Sequence, residues 1–129
     1  MSFKATLNVA GKKPTVLSCH YSLKQETDPT GRPSSITRGG KITVTVEGNE
    51  DTTFFEWMCN SFERKDGSIV FLKRDSDATM KELKFKEAYL VDYTENFDHT
   101  GDNPISETFT LSAKEITLGT GTHANEWIK

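Results

Sequence analysis

The chain has no apolar run approaching the ~20 residues that cross a bilayer as a helix, so membrane insertion is not expected. It has no basic run. Its 16 Lys and Arg are scattered against 19 Asp and Glu, for a net charge of −3 and a pI near 5.6, which speaks against nucleic acid as a partner. There are only two cysteines, Cys19 and Cys59, too few for a disulfide framework. Both read as small buried hydrophobes. The start, Met1 to Leu7, alternates in polarity and lacks the apolar stretch of a secretory signal. The expectation is a chain made in the cytoplasm, whose exit would need machinery that reads a folded protein.

Marks of chemistry are equally scarce. There is no G-x-S-x-G elbow and no P-loop. His20, His99 and His123 are too far apart for a local metal motif. Cys19 and His20, adjacent on a strand, point to opposite faces. No metal, no cofactor and no enzymatic activity are expected. Glu107 is the one acid at an inward-facing strand position, and a carboxylate pair suited to hydrolysis is left open without a second member being singled out.

What the chain does have is strand periodicity. At 129 residues it is of single-domain size and long enough to bury a core unaided. Apolar residues alternate at Phe3-Ala5-Leu7-Val9, Leu17-Cys19-Tyr21-Leu23, Ile42-Val44-Val46 and Phe109-Leu111-Ala113, the period of half-buried strands. Ile116 and Leu118 have the opposite parity, which a bulge near Lys114-Glu115 would explain. Segments around Ile69–Leu72 and Leu83–Tyr93 are apolar on both faces. One helix is expected over about 51–63, capped by Asn49 or Asp51, with Phe54, Phe55, Met58, Cys59 and Phe62 as its buried stripe and Trp57 beside it. About six antiparallel strands and one helix suggest a small, mainly β barrel with the helix plugging an end or covering a side.

Two loops share one design: Asp28-Pro29-Thr30-Gly31-Arg32-Pro33 and Asp98-His99-Thr100-Gly101-Asp102-Asn103-Pro104. Each Asp can accept backbone N–H groups two residues on, Gly supplies a left-handed position, and Pro ends the turn. The first lies in a segment of about 25–40 without periodicity, and long loops of that kind tend to carry function. Asp28, Thr30, Gly31, Arg32, Pro33, Asp98 and Gly101 are therefore candidate docking residues. Arg32, held between Gly31 and Pro33, can present a guanidinium to a neighbour's carboxylate. Tyr89, Tyr93 and Phe97 recur every four residues, which on an unbroken strand puts them on one face. With Trp57 they form either a packed or inter-subunit surface, or a stacking platform.

These landmarks occur in an order that resembles the type VI secretion tube protein, the haemolysin-coregulated protein (TssD) family, in its Bacteroidota branch. The resemblance rests on Gln25-x-Thr27-Asp28-x-Thr30-Gly31-Arg32-Pro33, Gly40-x-Ile42-Thr43-Val44-Thr45-Val46-Glu47, Glu56-Trp57-Met58, Lys65-Asp66-Gly67, Phe71-x-Lys73-Arg74-Asp75, Phe97-Asp98-x-Thr100-Gly101-x-Asn103-Pro104 and Leu111-Ser112-Ala113-Lys114-Glu115-Ile116. It covers nearly the whole chain. It implies a barrel with one helix, a homo-hexameric ring, rings stacked into a secreted tube, and sheath, spike and effector proteins as partners. It also implies that the loop at Thr27 to Gly40 joins neighbouring copies. The alternative is a monomeric barrel that binds a glycan or peptide through Tyr89, Tyr93 and Trp57.

Overall fold

The structure is a computed structural model that describes residues 4–73, 78–98, 100 and 104–125. Among these described residues, seven strands and one helix follow in the order β1 (Lys4–Val9), β2 (Val16–Tyr21), β3 (Lys41–Glu47), α1 (Thr53–Cys59), β4 (Arg64–Leu72), β5 (Thr79–Phe97), β6 (Ile105–Leu118) and β7 (Gly121–Ala124). All pair antiparallel, in the spatial order β1-β4-β5-β6-β3-β2, with β7 added to the far end of β6. The sheet curls until its two ends meet: Thr6 bridges Thr15, and the Leu7 N–H donates to the Pro14 carbonyl at 3.1 Å. The result is the small barrel that the strand pattern suggests.

Alternation builds its wall. Ile42, Val44 and Val46 of β3 and Phe109, Leu111 and Ala113 of β6 point inward and are essentially inaccessible. The residues between them are hydroxyls. Thr43 meets Thr110 at 3.2 Å and Thr45 meets Thr108 at 2.9 Å on the outer face. His20 and Ser18 of β2, and Asp92 and Thr94 of β5, extend these two rows across four strands.

The strands that read as apolar on both faces do so for a different reason. In β5 the inward set runs Leu83, Phe85, then Ala88, Leu90. The parity changes because β5 carries an extra residue against β4, between the pairs Lys65↔Ala88 and Gly67↔Phe85. There Glu87 sits at φ 50 and its N–H donates to the Asp66 carboxylate at 2.7 Å. Phe85 lies over Gly67, where a Cβ would come within 2.7 Å of the ring. A second bulge falls between Leu90 and Asp92. The facing change expected in β6 is present, between Ala113 and Ile116, but β6 keeps its register with β5 there (Lys86↔Glu115, Ala88↔Ala113). These two bulges belong to β5 and not to β6. At that same level β6 exchanges partners, from β3 to β7. The Asn125 amide fills the junction, donating to the Gly39 and Ala113 carbonyls at 3.0 and 3.1 Å. Gly40, at φ 102, leaves room for it.

The helix is shorter than expected, seven residues, and of the expected stripe only Phe54 is buried, with Trp57 beside it. Phe54 stacks on Phe109 at 4.7 Å. Trp57 is 2% exposed, and its indole N–H donates to the Glu63 carbonyl at 2.9 Å. Phe55, Met58 and Cys59 face outward instead. Phe62 is 83% exposed, because the chain leaves the helix at Asn60 in an extended conformation and the helical period no longer governs it. Cys19 is half-buried, and burial pushes its thiol up to about 11.

Glu107 is the one buried charged side chain among the described residues, at 3% exposure. Burial raises its pKa first, and the nearby Glu95 and Asp51 carboxylates add to that, against a lowering hydrogen bond from Tyr93. The folded chain thus holds this proton more tightly than the unfolded chain, so stability falls as pH rises. Glu107→Gln should melt above the unsubstituted chain at pH 8. That advantage should shrink on acidification and vanish near the ordinary Glu range, about pH 4. Equal melting temperatures throughout would remove the buried charge from the account. Denaturant titration should also separate two aromatics: Trp57→Ala should cost about 3–5 kcal/mol, and Phe62→Ala no more than about 0.5 kcal/mol.

Candidate assembly surfaces

Residues 22–40 form an arm that continues the β2–β3 pair beyond the barrel. Lys24 and Arg38 exchange backbone hydrogen bonds at 2.9 and 2.7 Å, and Thr27 bridges Pro33. Between them the Ser34 N–H donates to the Glu26 carbonyl at 2.7 Å, and the Gln25 amide to the Ser35 carbonyl at 3.1 Å. The segment without periodicity is therefore a ribbon held by its own polar groups. It leaves Leu23 and Ile36 exposed.

Its tip is clasped by one carboxylate. Asp28 Oδ1 accepts the Thr30 N–H at 2.9 Å, the Thr30 hydroxyl at 2.6 Å and the Arg32 N–H at 3.1 Å. Gly31 takes φ 88, and its N–H donates to the Asp28 carbonyl at 2.9 Å. These bonds, the Thr30 hydroxyl foremost, hold the Asp28 carboxyl below the usual carboxylate range. Arg32 contributes only backbone to the clasp. Its side chain is exposed, and no carboxylate among the described residues pairs with it.

Asp98 repeats the device, accepting the Thr100 N–H at 3.0 Å and hydroxyl at 2.7 Å and again lying below its ordinary pKa for that reason. Gly101 and His99 lie outside the described residues. A third copy lies at Asp51, which the sequence offers as a helix cap without marking it as a clasp. Asp51 accepts the Thr53 N–H at 3.0 Å and hydroxyl at 2.6 Å, which starts α1. Its signal was Asp-x-Thr alone, without the Gly and Pro that mark the other two.

The aromatic candidates do not assemble. Trp57 is inside and cannot dock. The bulge at Val91 puts Tyr89 and Tyr93 on opposite faces. Tyr89 stays outside with the Arg64 guanidinium 6.0 Å from its ring centre. Tyr93 packs against the core and meets Phe55 edge-on at 5.8 Å. No common platform of Tyr89, Tyr93 and Trp57 exists. The exposed apolar groups are others, among them Phe55, Met58 and Phe62 on the outside of the helix region, Leu23 and Ile36 on the arm, and Phe97 at the end of β5. Among the described residues, no three His, Cys, Asp or Glu side chains converge on a point where an ion could sit. No helix among the described residues is long and apolar enough to cross a membrane.

Comparison with known proteins places this geometry. No curated protein matches the chain. Hcp1 from Flavobacterium johnsoniae is 57% identical over 95% of this chain and 99% of its own, with a TM-score of 0.91. Hcp1 from Salmonella typhimurium shares the fold at 16% identity and a TM-score of 0.75, covering 95% of this chain and 92% of its own. A subunit of the sheath–tube complex of an extracellular contractile injection system shares it more distantly. Its TM-score is 0.59 at 19% identity, over 89% of this chain and 87% of its own. The family model for hemolysin coregulated protein Hcp (TssD) matches residues 1–128, and the chain belongs to that family.

Proposed function

We propose that this chain is the repeating subunit of a type VI secretion inner tube. Six copies close into a ring, rings stack into a tube, and a contractile sheath drives that tube, tipped by a spike protein, out of the cell with effectors in its lumen. The observation that carries this reading is membership of the Hcp family together with near-complete overlap with an Hcp1 structure at 57% identity.

The surfaces suit the role. A closed ring needs two different patches meeting head to tail, and the exposed Phe55, Met58 and Phe62 supply an apolar patch that a lone subunit leaves in water. The arm supplies a rigid projection. Because its ribbon and clasp form within the subunit, little ordering entropy is left to lose on docking. The hydroxyl rows on β3 and β6, continued by His20 and Asp92 on the neighbouring strands, are polar and fit the wall of a water-filled lumen. Asp28, Thr30, Gly31 and Pro33 act as the frame that presents Arg32. Asp98 and Gly101 would frame a second contact.

The mass of the native protein by light scattering, with negative-stain images of the same fraction, tests the reading. Hexamer-sized rings with a central hole are expected, and a monomer at every concentration would overturn it. Arg32→Ala should lower the ring or tube fraction by tenfold or more while leaving the subunit's melting temperature within about 1 °C, as for an exposed side chain.

A further inference from the structure

The arm and a narrow cleft stand at opposite ends of the same strand pair. The arm leaves β2 at Tyr21 and rejoins β3 at Lys41. The cleft opens at the other end of these strands, beside Glu47. It has a volume of about 160 Å³ and is lined by Lys12, Pro14, Asn49, Asp51, Phe54 and Glu107 among others. Seven residues of β3 separate the two by roughly 23 Å, so a subunit's own arm points away from its own cleft.

The cleft is built around an incomplete interaction. Glu107 is only 3% exposed, and its Oε2 has no hydrogen-bond partner among the described residues. The Tyr93 hydroxyl is the neighbour that favours the charged form of this carboxyl. The charged groups around it are Glu95 across the strand pair, Asp51 ahead of the helix, Glu47 on β3, and Lys12 and Lys13 on the β1–β2 turn. Lys12 is committed to Asp51 at 3.2 Å. A buried acceptor left unpaired costs stability that a suitable donor recovers.

We propose that this cleft receives the Arg32 guanidinium of a second copy, with Glu107 as its buried carboxylate partner. This rests on the tube reading and names the contact that the arm makes within it. Among the described arginines, Arg38 pairs with Glu26 and Arg64 with Glu87, whereas Arg32 stands exposed on a clasped tip without a paired carboxylate. The planar fork of a guanidinium can pair with a carboxylate through two parallel hydrogen bonds, which fixes orientation as well as charge. A contact from one end of a subunit to the opposite end of the next is heterologous. Repeated without rotation closing on itself, it propagates along an axis as a filament.

A double-mutant cycle tests it, with Arg32→Ala, Glu107→Gln and the combined variant followed by concentration-dependent light scattering and electron microscopy of tube length. Each single substitution should weaken association between copies by tenfold or more, and the combination should weaken it no more than twofold beyond either single. Arg32→Lys, which keeps the charge and loses the fork, should also fall short of the unsubstituted chain. Glu107→Gln should keep or raise the melting temperature of the subunit, so lost assembly could not be lost folding. Normal assembly of Glu107→Gln, or fully additive losses, would overturn this pairing while leaving the tube reading intact. A wild-type chain that stays monomeric would overturn both.

Discussion

The whole structure depends on β5 and β6 bending together. They pair from Leu83↔Leu118 to Phe97↔Ile105. At about 3.3 Å per residue, the 19 residues of β5 would run to roughly 60 Å if straight, whereas a compact chain of this length is only about 35 Å across. Such a strand has to coil. The bulges at Glu87 and Val91 provide the turns, and each resets which side chains face inward. Glu87 also ties the bend down: its carboxylate takes Arg64 at 2.9 Å on β4 and Lys114 at 3.6 Å on β6. The bend is thus held across three strands by one acidic side chain whose own backbone is strained into the left-handed region.

That dependence explains which parts of the fold can be read from the sequence. β3 and the first part of β6 are plain alternation, and a period of two identifies them directly. β5 defeats such reading because its period is interrupted twice, so a one-sided strand looks apolar on both sides. The same interruption separates Tyr89 from Tyr93, whose even spacing suggests a shared face. The helix misleads for a related reason. A seven-residue helix holds only two turns, too few for a wheel to choose between Phe55 and Trp57. The choice is made by Phe109 across the core and by the Glu63 carbonyl that takes the indole. Of the docking candidates, the arm is legible as a long segment without periodicity, and its clasp as Asp-x-Thr-Gly. The outward turn of Phe62 depends on where the helix stops, which Asn60 decides in three dimensions.

Polar groups settle the irregular parts as apolar groups settle the wall. Three Asp-x-Thr clasps sit where the chain must change direction, at the arm tip, at the β5–β6 connection and at the start of α1. Each spends one carboxylate oxygen on two donors two residues away. The contrast is Glu107, a carboxylate with the same capacity placed inside the barrel and given less than it can accept. Local closure makes the clasps independent of any partner. Incomplete closure leaves Glu107 sensitive to whatever enters its cleft.

The threonine rows carry a consequence for friction. Their hydroxyls already bond one another across β3 and β6. In the proposed tube, a polypeptide drawn along these two rows would meet hydroxyls already bonded to one another, with His20, Lys41 and Asp92 as the charged or titratable neighbours on the same face. The rows themselves would then offer it few free hydroxyls, because Thr43 is bonded to Thr110 and Thr45 to Thr108.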